Sequence, residues 1–203
     1  MVPGEPAVVA DLLRCAASRY RAGESAAWAG GCDVQSPVGL ETIAYRTIFP
    51  ARVSWVVKPE LLWLPFYGMA LKALEEISVG GQFPREAMRE VEEHGGKHIL
   101  AGRWVVIFPE GERVRHGELG RFLQGGARLA CANGVPAVPV AVDSGYCWST
   151  QDWRKWPGQI TARIGPPVVT AQRSLAEVSR LVREQIAEEL ADVGTARRRP
   201  SGY

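Results

Sequence analysis

The chain has 203 residues, 46% of them hydrophobic, and carries 24 Lys and Arg against 22 Asp and Glu for a net charge of +2. That length and apolar share suffice for one well-buried core and suggest a single domain, while so small a charge excess argues against a nucleic-acid partner. No stretch reaches the roughly 18 to 20 continuous apolar residues of a transmembrane helix, and no charged region followed by an apolar run opens the chain, so neither a span nor a secretory leader is expected.

Residues 1–40 show little periodicity and read as an atypical, poorly ordered N-terminal segment, followed by the main domain over 41–194 and a basic tail over 195–203. Val53-Ser54-Trp55-Val56-Val57 is rich in β-branched and aromatic residues and predicts a strand. Leu61 to Leu71 is the most lipid-like segment but far too short to span; it reads as the lining of an acyl groove, a surface docked at a membrane interface, or a buried core helix, with a short helix over Pro65 to Leu74. Pro84 suits the first position of a helix running to about Leu100, because its missing N–H has no partner to lose there. His94 and His98, four apart on that helix, read as a solvated face, since no third ligand stands near enough to suggest a metal.

Strand 104–108 follows, then a helix near 120–133, strand 136–142 and an alternating strand over Ile160 to Ile164. Ser174 and Glu177 have the spacing of a capping box. Leu175, Val178, Leu181, Val182, Ile186 and Leu190 then form a helical apolar stripe, with Gly194 as its stop. Strands alternating with helices imply an α/β fold with a mostly parallel or mixed central sheet flanked by helices. Cys15, Cys32, Cys131 and Cys147 show neither metal-site nor disulfide-framework spacing, so reduced cytosolic thiols are expected. Arg197-Arg198-Arg199 reads as a solvated tail, with contact to an anionic membrane surface as the alternative.

The chemistry concentrates at Val106-Ile107-Phe108-Pro109-Glu110-Gly111-Glu112-Arg113. Pro109 ends the strand because it has no N–H to donate. Glu110, Gly111 and Arg113 then follow its carboxyl end, where open α/β sheets bind ligands. A glycine able to take positive φ and a guanidinium able to grip phosphate with two prongs make an anion-binding corner; a structural Glu–Arg pair at a loop is the other reading.

The neighbouring motifs carry a resemblance. Lys58-Pro59-Glu60-Leu61-Leu62-Trp63-Leu64-Pro65-Phe66-Tyr67-Gly68, the Pro109-Glu110-Gly111 loop, Gly125-Gly126-Ala127-Arg128, Gly134-Val135-Pro136-Ala137-Val138-Pro139-Val140, Trp156-Pro157-Gly158 and Ile164-Gly165-Pro166-Pro167 occur in the order found in the glycerophospholipid acyltransferases. The likeness covers about residues 41 to 170 and is nearest to bacterial 1-acylglycerol-3-phosphate, or lysophosphatidate, acyltransferases. It implies a glycerol-3-phosphate acyltransferase-like fold and transfer of a fatty acyl group from acyl-CoA or acyl carrier protein to lysophosphatidate in phospholipid biosynthesis. No cofactor, metal or nucleic acid is implied. The expected place of work is the cytoplasmic face of the inner membrane, peripherally bound, or the cytoplasm. Glu110, Gly111 and Arg113 would hold the acceptor phosphate, and Leu61, Trp63 and Phe66 are the acyl-groove candidates.

The family's general base is a histidine five positions before an acidic residue that orients it. Glu41 stands in the acidic place, yet five positions earlier is Ser36. Glu112, Leu123 and Gly80-Gly81 also replace the threonine, lysine and Asp-Arg that the resemblance predicts. One account is a shifted reading frame up to about Leu40. Val34 to Leu40 can be spelled GTC CAA TCA CCA GTC GGC CTG, and one nucleotide later this reads Ser-Asn-His-Gln-Ser-Ala-Trp, a histidine motif leading into Glu41-Thr42. The alternatives are a catalytically inactive lipid- or acyl-binding pseudoenzyme and a peripheral membrane-binding module.

Overall fold

A computed structural model describes residues 27–32, 52–80, 84–110, 120–142 and 162–195. In chain order these form β1 (Ala27–Cys32), β2 (Val53–Val57), a single 3-10 turn (Pro59–Trp63), α1 (Tyr67–Ala73), β3 (Ile77–Ser78), α2 (Pro84–Leu100), β4 (Trp104–Ile107), α3 (Gly125–Asn133), β5 (Ala137–Val142), β6 (Ala162–Ile164) and α4 (Leu175–Thr195). The described strands make one sheet in the order β3-β2-β4-β1-β5-β6. Every pairing among the first five is parallel, and β6 lies antiparallel on β5.

Parallel strands with both faces covered read as continuous apolar runs, and all four residues of β4 and all six of β5 are buried. Successive side chains point to opposite faces, which divides the core in two. Val105, Ile107 and Ala137 pack with Val91 and Ile99 of α2, Leu129 of α3 and Val178, Val182 and Ile186 of α4. Trp104, Val106, Val138, Val140 and Val142 pack on the other face with Val53 and Trp55. The α/β class expected from the sequence is therefore the class observed, with the apolar stripe of α4 turned into the first core.

Four local outcomes differ from the sequence reading. β1 lies inside the segment that showed no pattern; Ala27-Trp28-Ala29-Gly30-Gly31-Cys32 has no β-branched residue, and its extended form comes from pairing β4 on one side and β5 on the other. The helix expected from about 120 starts at Gly125, because Gly120 and Leu123 are used to tie back to the loop after β4. Gly194 lies within α4 and does not stop it. Gly134 does end α3, at φ 63°, with its N–H directed to the carbonyls of Ala130 and Cys131. At the start of α4 the Glu177 amide donates to Ser174 Oγ at 3.2 Å, while the Glu177 carboxylate pairs with Arg173 at 3.7 Å; Ser174 caps the helix.

Candidate functional site

β4 delivers its chain end into a tied loop. Beyond Ile107, Phe108 stacks on Trp55 with ring centroids 5.4 Å apart, Pro109 is buried, and Glu110 is only 6% exposed. Glu110 Oε1 accepts the Gly120 amide at 3.3 Å, and the Leu123 amide donates to the Pro109 carbonyl at 2.6 Å. Both contacts bring the chain back to the carboxyl end of β4 after the interval 111–119. A carboxylate repels phosphate, so Glu110 serves this corner by fixing the return of the loop, and any attraction for an anion has to come from a guanidinium or from backbone N–H groups. Gly111 and Arg113, the expected phosphate contacts, lie outside the described residues, as do Glu41, Glu112 and His116.

β2 runs parallel to β4 with Val53 opposite Trp104 and Trp55 opposite Val106. Continuing that register sets Val57 opposite Phe108, so the segment after β2 emerges at the same end of the sheet as Pro109 and Glu110. This segment is the 3-10 turn and α1, which carry the three acyl-groove candidates. Leu61 is half-buried, whereas Trp63 is 87% and Phe66 82% exposed. Only Leu61 faces the body of the protein; the two rings face outward. Phe66 adopts φ 63° and ψ −47°, a conformation a bulky side chain rarely takes. The Tyr67 amide closes a tight turn across it to the Pro65 carbonyl at 2.7 Å.

Behind the turn, the chain leaving β3 passes very near Pro59: a methyl group on Gly80 would overlap the Pro59 ring. The Gly80 amide donates to Glu90 of α2 at 2.9 Å. Gly80 stands where the resemblance predicts an aspartate, and this close approach leaves no space for that side chain.

The opposite, amino-terminal end of the sheet holds a polar cluster that sequence reasoning missed. Ser54, fully buried in β2, has its Oγ 2.8 Å from Nδ1 of His98 on α2. Arg103, just before β4, donates to the same Oγ at 3.3 Å and to the Leu74 carbonyl at 3.4 Å, and pairs with Glu75. The Ser54 hydroxyl, accepting from the guanidinium, can donate its own proton to Nδ1 of a neutral ring or accept from an Nδ1–H, according to the tautomer. Burial, followed by repulsion from His94, lowers the His98 pKa below its ordinary 6.5. No group of three metal-ligating side chains occurs among the described residues. His98 is thus a packed structural histidine rather than a solvated one. The only sequence signal for this cluster was a polar residue inside an apolar strand.

A depressed pKa means that folding favours neutral His98. Its contribution is present above about pH 6.5 and is lost as pH falls through that value toward the lower folded-state one. The melting temperature should therefore drop between pH 7.5 and 5.5, and His98→Gln should show a shallower drop across the same window. Equal slopes for the two proteins would refute a role for His98.

Residues 37–143 match the Acyltransferase family. Over 152 residues, 73% of this chain, the sequence is 35% identical to the 1-acyl-sn-glycerol-3-phosphate acyltransferase of Pseudomonas aeruginosa, covering 59% of that protein. The enzyme of the same name from Escherichia coli is 30% identical over 156 residues, which cover 72% of this chain and 62% of the relative. The chain spans roughly two fifths to three fifths of the curated relatives it matches. Among solved structures it resembles the 1-acyl-sn-glycerophosphate (LPA) acyltransferase PlsC of Thermotoga maritima, with a TM-score of 0.67 at 20% identity, over 95% of this chain and 80% of that one.

Proposed function

Since the chain belongs to the Acyltransferase family, matched over residues 37–143, we propose that it transfers a fatty acyl group from acyl-CoA or acyl carrier protein to 1-acylglycerol-3-phosphate, making phosphatidate for phospholipid biosynthesis. The observation that carries this reading is the 35% identity to a protein bearing that activity in its name, over a stretch of 152 residues. The acceptor hydroxyl attacks the thioester carbonyl, an ester C–O bond forms, the C–S bond breaks, and the hydroxyl proton ends on the departing thiol. Arg113 and the amides around Gly111 would hold the acceptor phosphate, with Glu110 keeping their loop in place. Leu61 would border the acyl chain, and Glu41 would orient the base. The chain's place of work in this reading is peripheral, at the cytoplasmic membrane face; no helix among the described residues is long and apolar enough to cross a membrane.

A weak nucleophile such as a hydroxyl needs a general base, and one observation favours a second reading, lipid binding without turnover. His98 is engaged with Ser54 at the far end of the sheet from Glu110, and His94 lies exposed on the outside of α2; neither can serve the corner after β4. The family match begins at Pro37, inside the stretch whose alternate frame spells the missing histidine. The nucleotide sequence across codons 1 to 42 tests the frame. An assay of phosphatidate formation from lysophosphatidate and acyl-CoA tests the function. We expect the frame-restored protein to turn over about 10²–10⁴-fold faster than the chain as written, the range a positioned general base supplies. Absence of phosphatidate from both proteins, with either donor, would defeat the transferase reading.

A further inference from the structure

We propose that the 3-10 turn and the start of α1 form a membrane-docking surface, with Trp63, Leu64, Phe66 and Met69 entering the headgroup and upper acyl region of an anionic bilayer. This rests on the reading that the acceptor is a lipid. Trp63 and Phe66 are 87% and 82% exposed, Met69 is 64% exposed, and Leu64 also faces solvent. Phe66 and Met69 stand three apart as the helix begins, hence as neighbours on its surface, while Gly68 and Leu71 turn to the protein. Four large apolar side chains displayed within seven residues are a costly arrangement in water and mark an interaction site. The Phe66 ring is projected by a backbone held at positive φ, a strain of the sort found at functional positions.

The occupant follows from charge and position. Lys58 and Lys72 flank the patch, both exposed and neither in an ion pair among the described residues. Among the described carboxylates nearby, Glu75 is paired with Arg103, Glu76 is half-buried and turned inward to the Trp55 amide of β2, and Glu60 is exposed beside the two lysines. Amphipathic rings with basic neighbours fit an interface of anionic headgroups. The patch also emerges at the same end of the sheet as Pro109 and Glu110, so a protein seated on it would present its anion-binding corner toward the bilayer that holds the acceptor.

Co-sedimentation of the full chain with phosphatidylglycerol–phosphatidylcholine vesicles lacking lysophosphatidate tests the surface separately from any chemistry. The Trp63→Ser, Phe66→Ser double variant should lose about 10-fold or more in partitioning, as expected for withdrawing two apolar side chains from an interface. Its melting temperature should stay unchanged, because both rings are exposed. Lys58→Gln with Lys72→Gln should weaken binding to anionic vesicles more than to neutral ones. Unchanged partitioning of the double variant overturns the proposal, as does a wild-type chain that fails to bind anionic vesicles. Loss of self-association in the variant with vesicle binding intact would assign the patch to a second copy of the chain and overturn it equally. Partitioning that depends on Trp63 and Phe66 where no acyl transfer is measurable supports the docking surface while sinking the transferase reading.

Discussion

Gly68→Ala should lower the melting temperature by about 6–12 °C and expose the Pro59–Leu74 region to proteolysis. A methyl group at this position would overlap the backbone carbonyl of Leu62. The Gly68 amide also donates to the Leu64 carbonyl at 2.8 Å, pinning the helix to the turn before it. Two opposing effects decide the outcome. Alanine in place of glycine favours a helix by roughly 0.5–1 kcal/mol. Steric overfilling costs about 1–3 kcal/mol even when side chains can shift, and backbone has less freedom to yield, so a net loss of about 3 kcal/mol is expected. For a chain of this size each kcal/mol moves the transition by about 2–4 °C. A thermal scan that places the variant within about 2 °C of the parent, with an unaltered digestion pattern, would show that the corner repacks at little cost. Because the same corner carries Trp63 and Phe66, the variant should also partition poorly onto vesicles, an effect separable from the double serine variant by its lowered stability.

Arg113→Ala should weaken lysophosphatidate binding by about 10–100-fold while leaving the affinity for acyl-CoA nearly unchanged. A charge-assisted hydrogen bond contributes about 1.5–3 kcal/mol, and a guanidinium can offer two in parallel to one phosphate. Glu110 accepts the Gly120 amide and Glu112 adds a repulsive charge, so Arg113 is the cation nearest the Pro109-Glu110-Gly111 turn in sequence, with Arg115 two residues farther on. Lysine at 113 keeps the charge but loses the fork, so Arg113→Lys should fall between the parent and the alanine variant. Equilibrium titration is the suitable measurement, since it reads binding whether or not the chain turns over. Equal losses for acceptor and donor, or none for either, would remove Arg113 from the acceptor site.

The parts of this fold legible in the sequence are those in which a local pattern and the tertiary environment agree. Val53–Val57 and Ala137–Val142 are rich in valine because they lie in a sheet packed on both faces, and Pro84 opens α2 because a first helical residue needs no N–H partner. The stripe of Val178, Val182 and Ile186 predicted the face of α4 that is buried. β1 escaped notice because Trp28 is its one residue with a strand preference, while its alanines, glycines and cysteine carry none. Gly125 rather than Gly120 begins α3 because two amides upstream have partners in another loop, a commitment that no helical periodicity encodes.

The candidate site divides in the same way. Sequence alone determined the family, the Pro109-Glu110-Gly111 corner, its place after a buried strand, and the absence of a histidine five positions before Glu41. Those are statements about residue type and short spacing, which the chain carries explicitly. Only the tertiary structure decided that the Glu110 carboxylate holds the Gly120 amide, that His98 is spent on Ser54 at the wrong end of the sheet, and that Trp63 and Phe66 face outward from a segment whose apolar run read equally well as core, groove or interface. An apolar side chain has the same formula in a core or on a surface. Which of these it occupies is set by what the rest of the chain brings beside it.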